Sequence, residues 1–143
     1  MPRLLAFILF MLSAAVYAES YLCTAEQLAG FIYNPASKSW QGAASATADT
    51  FIVKHSSEDG SKNIGPPWFV SERGKDFGIA CANDFDEHGY LYCHGLGGDF
   101  MMNRNTLRFR HLNDRGFVVD KYKPHAPEGK QSPYMKIGHC ELY

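Results

Sequence analysis

The chain has 143 residues, with 14 basic against 15 acidic side chains and 14% aromatic residues. That length suits one domain with a real hydrophobic core. The near balance of charge counts against a dedicated nucleic-acid binder, which carries a strongly basic face, and the aromatic content counts against a disordered chain.

Arg3 is the only charged side chain before Glu19. An apolar run over residues 4–12 follows it, then the small residues Ser13, Ala14 and Ala15, and Val16-Tyr17-Ala18 fits the small-x-small cleavage rule. This order predicts a secretory signal peptide over residues 1–18, cut after Ala18. The run is too short to span a bilayer, and the charged flank of a stop-transfer anchor is missing. Ser20-Tyr21-Leu22 ahead of Cys23 lacks the small residues beside which a lipid-modified cysteine is cut, so a lipoprotein is not expected. Residues 19–143 then form a mature, periplasmic or secreted domain with 13 basic and 15 acidic side chains, a net charge of −2, and no later membrane span.

All four cysteines, Cys23, Cys81, Cys93 and Cys140, lie in that domain. An even count in an exported chain predicts two disulfides, and four cysteines allow three pairings. The favoured pairing is Cys81–Cys93 with Cys23–Cys140. The first closes a short loop worth about 3 kcal/mol, and the second ties the two ends together for about 4–5 kcal/mol. Without a C-x-x-C pair, zinc is not expected.

Along the mature chain, Thr24 and Gln27 have capping-box spacing and Gly30 can supply a left-handed stop, which predicts one or two helical turns over residues 24–30. Beyond Gly30, short runs rich in Phe, Tyr, Ile and Val alternate with Gly, Pro, Asn and Asp, the pattern of antiparallel strands and turns. Strands are expected at residues 30–33 and 39–41 around a hairpin loop at 34–38, then at 50–55 and 68–72 across a Gly, Ser and Pro-rich loop at 56–67. A hairpin over residues 77–95 places Phe77, Ile79 and Cys81 on one face, opposite Leu91 and Cys93, with a polar loop at 83–89. In a second hairpin over 100–111, a turn centred on Arg104-Asn105 would set Met102 against Leu107 and Phe100 against Phe109, with Asn105 tolerating the left-handed conformation. Strands at 116–121 and 134–140 flank a proline-rich loop at 123–133. Alternation from Met135 and Ile137 would turn Cys140 to the wrong face, and a bulge at Gly138 would correct it.

The expected fold is all-β: a small antiparallel meander or barrel of about eight strands with a short N-terminal helix and two disulfides, a two-sheet sandwich being the alternative. Placing Cys23 beside Cys140 suits a barrel whose first and last strands meet.

Chemistry is sparse. His55, His88, His94, His111, His125 and His139 are scattered, and no pair has the helical spacing of a metal site. Solvated or capping histidines are the plainer reading, so no catalytic residues, metal or cofactor are assigned. Gly95-Leu96-Gly97-Gly98-Asp99 neither opens a helix nor precedes Lys-Ser/Thr, so it reads as a turn and not as a phosphate loop. A G-x-S-x-G elbow is missing. The binding candidates are Arg108 and Arg110, part of a basic face with Arg104, Lys121 and Lys123, and Trp68, which Pro66 and Pro67 present as the most exposed aromatic candidate. For Trp40, Trp68 and Tyr90 in so small a domain, a core position is the plainer reading and a binding anchor the other.

Three stretches taken together, Gly30-Phe31-Ile32-Tyr33-Asn34 through Lys38-Ser39-Trp40, Asn105-Thr106-Leu107-Arg108-Phe109, and Ile137-Gly138-His139-Cys140, combined with the signal peptide and Tyr21-Leu22-Cys23, resemble a group of small exported proteins of bacteria and their prophages. The resemblance spans nearly the whole mature chain and implies export, but no activity. The layout is also similar to periplasmic inhibitors of lysozyme, small disulfide-linked antiparallel barrels, although their inhibitory loop motif has no match here. The function expected is a non-enzymatic extracytoplasmic binding module, an inhibitor or sequestering protein whose partner is another envelope or secreted protein. The alternatives are a secreted hydrolase, such as a nuclease using His and Arg, and a small-ligand carrier.

Overall fold

The computed structural model describes residues 19–56, 67–76, 78–95, 97–114 and 132–143. The signal peptide expected over 1–18, the strand at 116–121, Phe77 and most of the loops at 56–67 and 123–133 lie outside these residues.

Nine strands run in chain order: β1 Ser20–Asn34, β2 Ser39–Ala46, β3 Thr50–His55, β4 Trp68–Glu72, β5 Gly78–Cys81, β6 Tyr90–Gly95, β7 Gly98–Asn103, β8 Arg108–Asn113 and β9 Tyr134–Leu142. All pairings are antiparallel, in the order β2-β1-β3-β4-β5-β6-β7-β8-β9, and β9 also pairs with β1. Eight strands, all but β2, therefore close into a barrel. Closure pairs the edges that an open sheet would expose.

The long first strand makes this possible. On one side, its start (residues 20–24) pairs with β3 and its remainder (27–34) pairs with β2; on the other side, residues 21–30 pair with β9. Beyond Gly30, β1 leaves the ring and forms, with β2, an arm that projects from the barrel.

Within the ring the period-2 alternation holds. Tyr21, Cys23, Phe51, Val53, Trp68, Val70, Ile79, Leu91, Phe100, Met102 and Phe109 are buried in one cluster with all four cysteines. Phe51, Phe100 and Phe109 meet at ring-centroid distances of 5.3–5.7 Å, with Phe100 and Phe109 stacked. Filling a small barrel with side chains of this size leaves little internal space. The two disulfides are Cys23–Cys140, across the β1–β9 seam, and Cys81–Cys93, across β5–β6.

Three local expectations change. Residues 24–30 are strand, and no α-helix occurs among the described residues. Hydrogen bonding to neighbours on both sides outweighs the helix preference of Ala25, Glu26, Gln27 and Leu28, since so short a helix is marginal alone. A bulge at Glu26, between the Ala25–Gly138 and Gln27–Ile137 pairs, shifts the phase of β1.

The second change concerns β9, which alternates without a bulge of its own. Lys136, Gly138 and Cys140 face inward while Met135 and Ile137 face out. Gly138 lies against the bulge, where a Cβ would run into the Thr24 carbonyl oxygen.

Third, the β7–β8 turn is a four-residue loop, residues 104–107, that pairs Asn103 with Arg108, Met102 with Phe109 and Phe100 with His111. The left-handed residue is Leu107, at φ 55°, not Asn105. This register differs from the expected one by two residues, so every side chain keeps its face.

Candidate functional site

The two ends of the barrel have different chemistry. At the end that holds the start of β1 and β4, Trp68 is 3% exposed and packs on Tyr21, His55 and Phe85 with centroid distances of 5.1–6.1 Å. Its indole Nε1–H donates to Asp84 Oδ1 at 2.7 Å. That bond, followed by the Phe85 amide, holds the Asp84 carboxyl below its usual range. Trp68 is thus a core residue with its one polar atom satisfied, which corrects its assignment as an exposed binding aromatic. Pro67 leads the chain into β4 rather than presenting the ring to solvent. Tyr21 donates to Glu19, and burial followed by that carboxylate drives its phenol far above the ordinary tyrosine range.

The opposite end holds buried charge. Lys136 projects inward from β9, with Nζ 2.8 Å from Asp49 Oδ2, 3.4 Å from Glu72 Oε1 and 5.5 Å above the Phe51 ring. Burial pulls its pKa down, but the Asp49 hydrogen bond and the Glu72 charge outweigh burial and leave it raised. The Lys136 bond in turn lowers the Asp49 pKa. Lys75 makes a second pair with Glu72, at 2.5 Å. Beside them His111 is buried in β8, and Nε2–H donates to the Gly97 carbonyl at 2.8 Å. Nδ1 is then a bare acceptor without a protein partner. Desolvation lowers the pKa of His111 and keeps the ring neutral. A cavity of about 20 Å³, lined by His111, Glu72 and Phe51 among others, has room for one water molecule there. Lys136 and Lys75 balance Asp49 and Glu72, an ionic plug in which His111 Nδ1 alone has no protein partner.

The other described histidines are not brought together. His94 pairs with Asp99 and His139 with Glu26 on the outer surface, His88 lies by Glu87 in the β5–β6 loop, and His55 stands edge-on to Trp68. No group of three or more His, Cys, Asp or Glu side chains suited to a metal ion occurs among the described residues. No helix among them is long and apolar enough to cross a membrane.

Arg108 and Arg110 stand on the outer face of β8, and among the described residues neither guanidinium makes an ion pair. The register sets them in cross-strand rows. One row runs Tyr92–Met101–Arg110–Ile137–Gln27 across β6, β7, β8, β9 and β1. The next runs Asp99–Leu112–Met135–Ala29–Ala44 and passes onto the arm. Tyr92, Ile137, Met135 and Phe31 on this surface are 56%, 46%, 41% and 54% exposed. Where the arm leaves the barrel, a groove of about 700 Å³ opens between residues 29–31 and 42–44 on one side and 112–114 and 133–135 on the other. The outer face thus sets exposed apolar side chains around Arg110, with Arg108 beside the β7–β8 turn between Asn103 and His139.

No family model, no curated protein and no solved structure matches this chain.

Sequence reasoning located the two arginines but missed their apolar neighbours. The signal for them was present: once Cys140 is placed inward to meet Cys23, strict alternation along β9 turns Met135 and Ile137 outward, next to Arg110.

Proposed function

We propose that this protein is a non-enzymatic binding module that works outside the cytoplasm and docks another envelope or secreted protein on the outer face of β6–β9. The observation that carries the reading is the row Tyr92–Met101–Arg110–Ile137, in which exposed Tyr92 and Ile137 flank half-buried Met101 and Arg110, whose guanidinium makes no ion pair among the described residues, on a closed, disulfide-linked barrel. Contiguous exposed apolar surface is uncommon on a protein that acts alone, and aromatic, Met and Arg side chains are enriched at interfaces. The partner that fits offers apolar side chains flanking a carboxylate, since among the described residues Arg108 and Arg110 have no counter-ion to release. Export is supported by the residue order at 1–18, by the pairing of all four cysteines, and by the resemblance to small exported bacterial and prophage proteins. A carried small ligand finds less support, because the described interior is filled with side chains.

The test uses the oxidised, exported protein as bait in envelope extract, beside Arg110→Glu and Ile137→Asp. A specific partner should be retained by the wild type and lost at least about tenfold by each variant, with the strand circular dichroism and both disulfides unchanged. Failure to retain any partner, or one captured equally well by both variants, overturns the proposal.

A further inference from the structure

We infer that a single water molecule is built into the barrel beside the ionic plug, donating one hydrogen to His111 Nδ1 and the other to the Glu72 carboxylate.

The imidazole sets the requirement. Nε2 lies 2.8 Å from the Gly97 carbonyl oxygen, which can only accept, so the ring proton sits on Nε2. Burial keeps the ring neutral, and His111 is only 2% exposed. Nδ1 is therefore an acceptor withdrawn from bulk water, and no protein group donates to it. A buried acceptor left unsatisfied costs more than a typical hydrogen bond contributes. The Lys136 ammonium is not the missing donor, because Asp49 and Glu72 hold it at 2.8 and 3.4 Å.

The cavity meets the requirement in size and in lining. Its volume of about 20 Å³ exceeds the roughly 10–15 Å³ that one water molecule needs. His111 and Glu72 both line it, among apolar walls from Phe51, Val70 and Ile79. Apolar walls alone would keep such a space dry, whereas two acceptors supply the polar partners that hold a water molecule. Glu72 has capacity for the second hydrogen. Its oxygens face Lys75 and Lys136 at 2.5 and 3.4 Å, and a carboxylate offers about four acceptor positions. Since both partners accept, the occupant must bring two hydrogens. An ammonium ion would bring them too, but beside the charges of Lys136 and Lys75, which already act on His111.

The position gives this water a structural role. In the ring of eight strands, β8 with His111 and β4 with Glu72 stand four places apart in either direction. One water molecule thus joins opposite walls of the barrel, next to the Lys136–Glu72 pair that joins β9 to β4. The site shares no side chain with the outer-face row around Arg110.

The experiment is a high-resolution crystal structure of the oxidised protein together with solution NMR at neutral pH, beside Val70→Ile and His111→Phe. The crystal should place one water oxygen within hydrogen-bond distance of both Nδ1 and a Glu72 oxygen. In solution, long-range proton–nitrogen correlations should put the His111 proton on Nε2 and shift Nδ1 upfield of a free acceptor nitrogen. Cross-peaks from a long-lived water molecule should reach the Val70 and Ile79 methyl groups. Val70→Ile adds a methyl group at the cavity wall and should remove the water cross-peaks and return Nδ1 to the free-acceptor position. His111→Phe deletes the acceptor and should lose the cross-peak to Ile79. A wild type whose Nδ1 is a free acceptor, a water oxygen within reach of only one of the two partners, or a water molecule that persists in His111→Phe overturns the inference.

Discussion

The β1–β2 and β7–β8 hairpins turn alike and end differently. In each, an asparagine closes a four-residue loop. Asn34 Oδ1 accepts from the amides of Ala36 and Ser37 at 2.9 and 3.3 Å, and Asn103 Oδ1 accepts from those of Asn105 and Thr106 at 2.9 and 3.1 Å. The fourth loop residue is left-handed in both, Lys38 at φ 51° and Leu107 at φ 55°. Yet β7 and β8 bury Phe100, Met102, Phe109 and His111, whereas β2 has no buried residue. The difference lies in what pairs with the outer strands. β7 and β8 have β6 and β9 beside them and so lie inside the ring, while the arm leaves the ring beyond Gly30. Turn chemistry is local, and burial is granted by closure.

The largest contrast should come from cutting one aromatic side chain in each hairpin. Phe100→Ala opens a cavity against Phe51 and Phe109 and should cost about 3–5 kcal/mol in urea unfolding. Phe31→Ala, on the arm, should change global stability by less than about 0.5 kcal/mol. Equal losses would mean that the arm belongs to the cooperative core.

A smaller effect separates the two asparagines. Asn103→Ala unsatisfies two turn amides and also releases the Nδ2 bond to the His88 carbonyl, which ties this loop to the β5–β6 loop. It should lower global stability by about 1 kcal/mol. Asn34→Ala breaks the same turn in an element able to open by itself. The global midpoint should stay within about 0.5 kcal/mol, while amide exchange rises in residues 31–42.

The smallest contrast is in pH. The folded state holds His111 neutral, with its pKa below the unfolded value of about 6.5. The unfolded chain therefore takes the proton first as pH falls. The contribution of His111 is complete above about pH 6.5 and is lost progressively below it. Asp49 and Asp84, whose pKa values are also lowered, weaken the fold only at more acid pH, as pH falls below about 4. Comparing urea midpoints at neutral and mildly acid pH should show a fall for the wild type that is reduced in His111→Gln. A variant with the wild-type slope would remove His111 from the account.

Much of the barrel could be read in advance. Thr50–His55 and Trp68–Glu72 begin and end where their composition places them, and both disulfides join the expected cysteines. The helix expected at 24–30 failed for an instructive reason. The bulge at Glu26 makes the inward positions of β1 Tyr21, Cys23, Ala25 and then Leu28, so a strand briefly shows the three-residue step of a helix. Trp68 was ambiguous because an aromatic after two prolines has the same sequence signature in a core as on a surface. Lys136 gave no local signal, since its inward position depends on Asp49 and Glu72, acids far away along the chain that meet it only across the barrel end.

By itself, the order of residues determined the strand and turn alphabet, the inward faces of most strands and the pairing of the cysteines, because alternation, turn chemistry and loop closure act over short stretches or through a few strong covalent constraints. Only the tertiary structure decided that β1 would have partners on both sides, that Lys136 would enter the barrel, and that one hairpin would be core while its twin stands outside. Those outcomes follow from where the sheet closes, and closure belongs to all eight barrel strands at once.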